Sequence, residues 1–165
     1  MSDISIRTAT PDDAAAIAAI YNVFVAGCTC TWQTEPDSVE FRRGWLTGRK
    51  AAHPVFVAED DAGAVVAFAS LSPYSPRGAF DLTAEVSIYI ADAAQGKGLG
   101  KRLLATLLDA AKTAGLHLLV ARISGDQPAS LALHAKHGFS ESGRIPEMGY
   151  KFGKFRDLVY MHRRV

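Results

Sequence analysis

The chain has 165 residues, 48% of them hydrophobic, and a formal net charge of +1. That length supports one proper core, and that hydrophobic share argues against disorder. The near-neutral charge gives no general pull toward nucleic acid or membranes, and no apolar run approaches the ~20 residues of a membrane span.

The opening Met1-Ser2-Asp3 lacks a basic segment followed by an apolar run, so no signal peptide is expected. Ile4 and Ile6 alternate with polar residues and predict a short strand. Thr10-Pro11-Asp12-Asp13 reads as a helix start, with Thr10 as cap, Pro11 in the first turn and Asp13 completing a capping box. Ile17, Ile20, Tyr21 and Phe24 follow at helical spacing. Cys28 and Cys30 have no second pair with which to hold a metal, so no metal site is expected. They read as small buried apolar residues, and a reduced, cytoplasmic setting is the simple expectation. A second helix falls within Thr34 to Arg49, starting after Pro36, with Phe41 and Trp45 on its apolar side.

Pro54 opens a strand over Val55 to Glu59, Asp60 to Gly63 is a hairpin turn, and Ala64 to Leu71 is the return strand. Pro73 to Gly78 is a loop, and Thr83 to Ile90 a central strand. Gly98 to Ala114 is helical, with a wide apolar stripe of Leu99, Leu103, Leu104, Leu107, Leu108 and Ala111, and Gly115 ends it. Leu116 to Ile123 is a buried strand by its apolar run. Ser130 to His137 is a helix stopped by Gly138, and Phe139 to Gly143 and Phe155 to Arg163 complete the sheet. No repeat or linker interrupts this order, so residues 1–165 read as one domain.

Gln95-Gly96-Lys97-Gly98-Leu99-Gly100-Lys101 is the most informative stretch. A strand that turns through glycines into a helix leaves N–H groups pointing forward at the helix N-terminus, where the dipole adds about half a positive charge. Such an end binds phosphate, and glycine lets a large anion approach the backbone. Lys97, Lys101 and Arg102 add formal charge. A P-loop would need glycine at position 95 and a hydroxyl after Lys101, where the chain has Gln95 and Arg102. A dinucleotide fingerprint would need glycine at position 101 and an early βα turn.

What remains, Q-x-x-G-x-G between strand and helix, resembles the acetyl-coenzyme A (acetyl-CoA) loop of the GNAT acetyltransferases. Thr83 to Ile90 is similar to the central strand before that loop, Ser130 to Phe139 to the penultimate helix and following strand, and Ile4 to Asp13 to the opening strand and helix. Ile20-Tyr21-Asn22, Thr34-Glu35-Pro36 and Gly149 to Leu158 resemble the phosphinothricin and methionine sulfoximine acetyltransferase branch.

The resemblance implies a mixed, mostly antiparallel α/β fold with helices on both sheet faces, and transfer of acetyl from acetyl-CoA to the amine of a small molecule. It implies pyrophosphate binding by Gln95, Gly96, Lys97, Gly98, Leu99, Gly100 and Lys101. Pantetheine would pair with the backbone of Val86, Ser87, Ile88, Tyr89 and Ile90, an N–H there polarising the thioester carbonyl. Gln127 stands where the family has asparagine, with Ser130 three residues on, and both become cofactor contacts.

Amine acetylation requires loss of a proton from the ammonium and stabilisation of the departing thiolate. Glu85, an acid among apolar neighbours, is the candidate base; the alternative is a structural carboxylate bonded to nearby backbone. His134 takes the place of a family tyrosine that protonates the thiolate; the alternative is a histidine that only packs. Thr31, Trp32, Tyr74 and Arg77 fall where the branch reads its substrate, with Arg77 as carboxylate partner or merely a solvated loop charge. Ser75 stands where the family loop often carries arginine. The branch also implies a homodimer. Rival readings are acetylation of a protein N-terminus or lysine, a non-catalytic coenzyme A sensor, and a nucleotide-binding module.

Overall fold

A computed structural model describes residues 4–165. Met1 to Asp3, on which the signal-peptide expectation bears, lie outside the described residues. Seven strands run β1 (Ser5–Thr8), β2 (Val55–Glu59), β3 (Val65–Pro73), β4 (Thr83–Ile90), β5 (Leu118–Ser124), β6 (Ser140–Lys151) and β7 (Lys154–Arg164). They form one sheet in the order β1-β2-β3-β4-β5-β7-β6. Every pairing is antiparallel except β4 with β5. The helices are α1 (Ala14–Gly27), α2 (Val39–Thr47), α3 (Leu99–Thr113) and α4 (Pro128–Lys136). No helix among the described residues is long and apolar enough to cross a membrane.

The sheet is covered on both faces because its strands carry apolar residues on both sides. On one face α1 and α2 bury Ile17, Ile20, Tyr21, Val25 and Leu46 against Val57 and Phe68. On the other, the leucine stripe of α3 packs against Ala69, Leu71, Ala84, Val86, Leu119 and Ala121. Alternation along β4 divides its side chains between these cores: Val86, Ile88 and Ile90 face α3, while Tyr89 joins the α1 side.

The capping box of Thr10 and Asp13 forms as expected, with the Thr10 N–H donating to Asp13 Oδ2 at 2.7 Å, on a 3-10 turn, Pro11–Asp13, that leads into α1. Helix α2 is shorter than its window and starts from Ser38, whose Oγ accepts the Phe41 N–H at 3.0 Å. Phe41 is exposed, and the buried residue of that turn is Arg42. An arginine is tolerated there because Asp37 pairs with it at 2.8 Å and its guanidinium lies 4.1 Å over the Tyr21 ring.

The final hairpin is much longer than expected. Strand β6 continues past Gly143 to Lys151, through register shifts between Glu141 and Gly143 and between Ile145 and Gly149. Its residues are almost all exposed at the sheet edge, so no buried alternation marks them. Phe152 and Gly153, both at positive φ, make the turn into β7.

Candidate active site

The site originates in a parting of strands. β4 and β5 pair only where Thr83, Ala84 and Glu85 face Leu118, Leu119 and Val120. Beyond Glu85 the strands diverge, while β5 stays paired with β7 along its whole length. From Val86 onward the β5-facing edge of β4 therefore has no strand partner, and its backbone groups, apart from the Ile90 carbonyl that Gln95 takes, are open to an extended ligand. The gap is the floor of a cleft of about 1240 Å³.

At the mouth of the cleft, β4 turns into α3. Gly96 and Gly98 sit at φ +74° and +75°, a left-handed conformation that side chains resist. Gly98 is the N-cap of α3. Gln95 folds the turn by donating from Nε2 to the Ile90 carbonyl and to Asp92 Oδ1, both at 3.0 Å. Gln95, Gly96, Gly98, Gly100 and Lys101 line the cleft. The Leu99 side chain is buried under α3, which leaves only its backbone for a ligand. The expected charge is thinner than the sequence suggests. Lys97 Nζ donates to the Ala93 carbonyl at 2.9 Å, and Arg102 Nη2 to that of Ile4 at 2.5 Å. Lys101 is the loop cation on the cleft wall, joined from α4 by Lys136.

Glu85 lies at the narrow end, where the strands begin to part. It is not an isolated carboxylate. Arg122 of β5 donates to it twice, from Nε to Oε1 at 2.9 Å and from Nη2 to Oε2 at 2.7 Å. The same contact holds the Arg122 guanidinium firmly charged, its pKa raised by Glu85.

His134 is 5% exposed on α4 and stacks edge-on against Phe139 with ring centroids 5.1 Å apart. Its Nδ1 is 2.8 Å from the Ser130 carbonyl, which can only accept, so Nδ1 carries the proton and Nε2 the lone pair. Nε2 is buried without a protein partner. Burial pushes the imidazole pKa below its ordinary value, and the Ser130 carbonyl only partly opposes this. The residue is a neutral acceptor at the cleft wall. A proton given to a thiolate would first have to be taken up there.

The other end of the cleft is built by the segment after α1. Thr31 is buried, its Oγ1 2.6 Å from the Tyr21 hydroxyl. Lys151, at the end of β6, reaches under this segment and donates from Nζ to the carbonyls of Cys28 at 2.7 Å and Thr31 at 2.9 Å. The Trp32 ring lies against the backbone of Gly149, so close that a Cβ there would overlap it. Thr31, Trp32, Gln33 and Cys30 line the cleft; Tyr74 and Arg77 do not, and Arg77 is exposed in its loop. A smaller recess of about 230 Å³ adjoins, walled by Tyr21, Trp45, Phe68 and Tyr89. Burial pushes the Tyr89 phenol well above its ordinary range, so the phenol is neutral; the charges in the recess are those of the Asp37–Arg42 pair.

Two expectations shift here. Cys28 and Cys30 are joined as a disulfide at the end of α1, Cys30 exposed and Cys28 half-buried, rather than packed as apolar thiols. Cys30 lies beyond the last turn of α1, where the chain surfaces to form the cleft rim. Gln127 lines the cleft, but its Nε2 donates to Thr29 Oγ1 at 2.7 Å, tying α4 to the same rim.

Arg122 and Lys151 were missed from the sequence. Arg122 left a signal: it is the one charge within the otherwise apolar run Leu118 to Ile123. Lys151 left none, since a lysine near a hairpin turn is an ordinary surface residue.

The model of the "Acetyltransferase (GNAT) family" matches residues 17–139. The chain is 40% identical, over 95% of its length and 92% of the relative's, to an L-methionine sulfoximine/L-methionine sulfone acetyltransferase of Pseudomonas paraeruginosa. It is 39% identical, over 96% and 92%, to an L-amino acid N-acyltransferase of Escherichia coli. Its structure is similar to that of a GNAT superfamily phosphinothricin acetyltransferase from Sinorhizobium meliloti in complex with acetyl-CoA, with a TM-score of 0.92, 33% identity, and coverage of 98% of this chain and 88% of that one.

Proposed function

This chain belongs to the GNAT acetyltransferase family, and on that footing we propose that it moves acetyl from acetyl-CoA to the primary amine of a small amino acid or analogue by direct attack. The observation that carries the reading is the cleft between β4 and β5, with the glycine turn that caps α3 at its mouth and Glu85 where the strands part. The residues fit the donor. An extended, amide-rich arm matches the unpartnered edge of Val86 to Ile90, and a pyrophosphate matches the glycine turn from Gln95 to Lys101. Ser130 and Gln127 border the arm from the α4 side. The buried lone pair on His134 Nε2 is an acceptor that lacks a partner in the protein.

Acetyl-CoA supplies a thioester whose C–S bond breaks as the new amide C–N bond forms. Glu85 takes one proton of the acceptor ammonium, directly or through water, and releases it to solvent. Backbone N–H groups on the open edge of β4, that of Ile88 among them, polarise the thioester carbonyl. His134 Nε2 accepts the second amine proton and passes it to the thiolate, or else the ring only packs against the cofactor. Thr31 and Trp32 shape the acceptor end. Tyr74 and Arg77 lie outside the cleft lining; Arg77, exposed in its loop, meets an anionic acceptor on approach.

The test is thiol release from acetyl-CoA with free amino acids, methionine sulfoximine, phosphinothricin, polyamines and short peptides. Amino acids and methionine sulfoximine should react, with phosphinothricin poor because Ser75 stands where the family often has arginine. No thiol release with any amine, or release with peptides alone, overturns the reading.

We also infer a homodimer. Ile145, Met148, Tyr150, Phe152 and Phe155, all on the exposed β6–β7 hairpin, support it. A monomer at micromolar concentration in sedimentation would refute it. Dependence on acetyl-CoA supports a cytoplasmic setting, while the Cys28–Cys30 disulfide removes the support drawn from reduced thiols.

A further inference from the structure

The geometry points to the Glu85–Arg122 pair as the reader of the acceptor's two charged groups: Arg122 takes the carboxylate of an α-amino acid, and Glu85 takes the ammonium beside it. This rests on the acetyltransferase reading and goes further, since it assigns the substrate's head group to a residue outside every motif discussed above.

The argument starts from the shape of the guanidinium. Arginine has five N–H donors in a planar fork. Glu85 occupies one edge, through Nε and Nη2. The other edge, formed by Nη1 and the second hydrogen of Nη2, has no hydrogen-bond acceptor among the described residues. Arg122 lines the cleft, and its side chain is 45% exposed while that of Glu85 is 18% exposed. A guanidinium clamped on one edge and open on the other is already oriented, so little side-chain freedom remains to be lost when a carboxylate docks. The neighbours on the same face of the sheet are compatible. Tyr160 sits opposite Arg122 on β7, and Ser72, whose Oγ accepts from Arg49 Nη2 at 3.2 Å, opposite Glu85 on β3, so the further charge brought near is a second cation, which also favours a carboxylate.

Charge bookkeeping separates acceptor classes. The pair is neutral as a unit, and so is an α-amino acid zwitterion. Docking carboxylate on Arg122 and ammonium on Glu85 gives each charge an opposite partner and adds no net charge to the cleft. An amino acid amide leaves the open edge of Arg122 without an anion. A polyamine brings a cation against it, which is unfavourable. Bond geometry narrows the class again. In an α-amino acid the nitrogen is two bonds from the carboxylate carbon, so a carboxylate held by Arg122 brings the α-nitrogen to Glu85. A side-chain amine several methylenes away is carried off the base.

The experiment compares kcat/KM for free amino acids and their primary amides, in the wild type and in Arg122→Gln. The wild type should prefer acids, and should acetylate lysine on its α-nitrogen only. Arg122→Gln should lower the acid-to-amide ratio by about ten- to a hundredfold, chiefly through the KM of the acid. Arg122→Lys, which keeps the charge but not the fork, should recover part of it. Should Arg122→Gln fail to fold, the wild-type ratio and Arg122→Lys decide. Amides as good as acids in the wild type, or a ratio that survives Arg122→Gln while amino acids still react, overturn the assignment and leave the acetyltransferase reading standing. No thiol release with any amine overturns both.

Discussion

Arg122 holds both carboxylate oxygens of Glu85, at 2.9 and 2.7 Å, from the strand that parts company with β4 at that point. The candidate base is thereby fixed in a single orientation at the end of the cleft. Its rotamer does not need to be selected when an acceptor arrives, which is the structural form that preorganised catalysis takes.

Glu85→Gln keeps the size of the side chain and one acceptor for Arg122, but removes the base. Turnover should fall by ~10²–10⁴-fold, the usual worth of a general base, while coenzyme A affinity stays near wild type. Single-turnover kinetics over a range of pH check this. An unchanged rate throughout would remove Glu85 from proton transfer.

Gly98→Asp should weaken coenzyme A binding more than any other single change in the turn. Gly98 has φ +75° at the cap of α3, so any side chain is strained there, and this one adds negative charge where a pyrophosphate approaches. In a thermal-shift assay the wild type at 100 times the dissociation constant should gain ~2.7 kcal/mol from acetyl-CoA. ATP and NAD should give no such gain, and Gly98→Asp should lose most of it.

His134→Phe should separate the two roles of this residue. Loss of turnover with intact cofactor binding identifies Nε2 as a proton carrier; weaker cofactor binding with intact turnover identifies packing. The same residue sets a pH dependence. His134 and His53 are both buried, with Nε2 of one and both ring nitrogens of the other lacking partners. Burial holds both imidazoles below their ordinary value of 6.5. Between that value and their folded-state values the unfolded chain binds more protons than the folded one, so stability is full above pH 6.5 and falls as pH drops below it. Denaturant titrations from pH 8 to 5 should show this slope, shallower in His53→Phe and His134→Phe.

Gly149→Ala should disturb the acceptor end without touching the cofactor turn. The added Cβ would overlap the Trp32 ring, so the ring or the β6 backbone must move. Overpacking of this kind costs ~1–3 kcal/mol. The KM for the amine should rise several-fold with little change for acetyl-CoA. Tryptophan fluorescence reports the displacement directly, since Trp32 and Trp45 are the chain's two tryptophans.

The sequence by itself determined the end of the molecule to which we assign the cofactor. Thr83 to Ile90, the turn at Gln95 to Lys101 and the leucine stripe of α3 were all legible, because strand period, glycine chemistry and helix period are local properties of a short segment. The acceptor end was decided by the tertiary structure. Arg122 meets Glu85 across 37 residues of chain, and Lys151 meets Thr31 across 120, contacts that no periodicity encodes. Arg42 is buried and Phe41 exposed because Asp37 and Tyr21 are there to receive a guanidinium. Phase along α2 alone does not reveal such partners. The cleft itself is a relation between two strands, not a property of either: β4 and β5 diverge after Glu85 while β5 stays bound to β7, and only the packed sheet fixes where that parting begins.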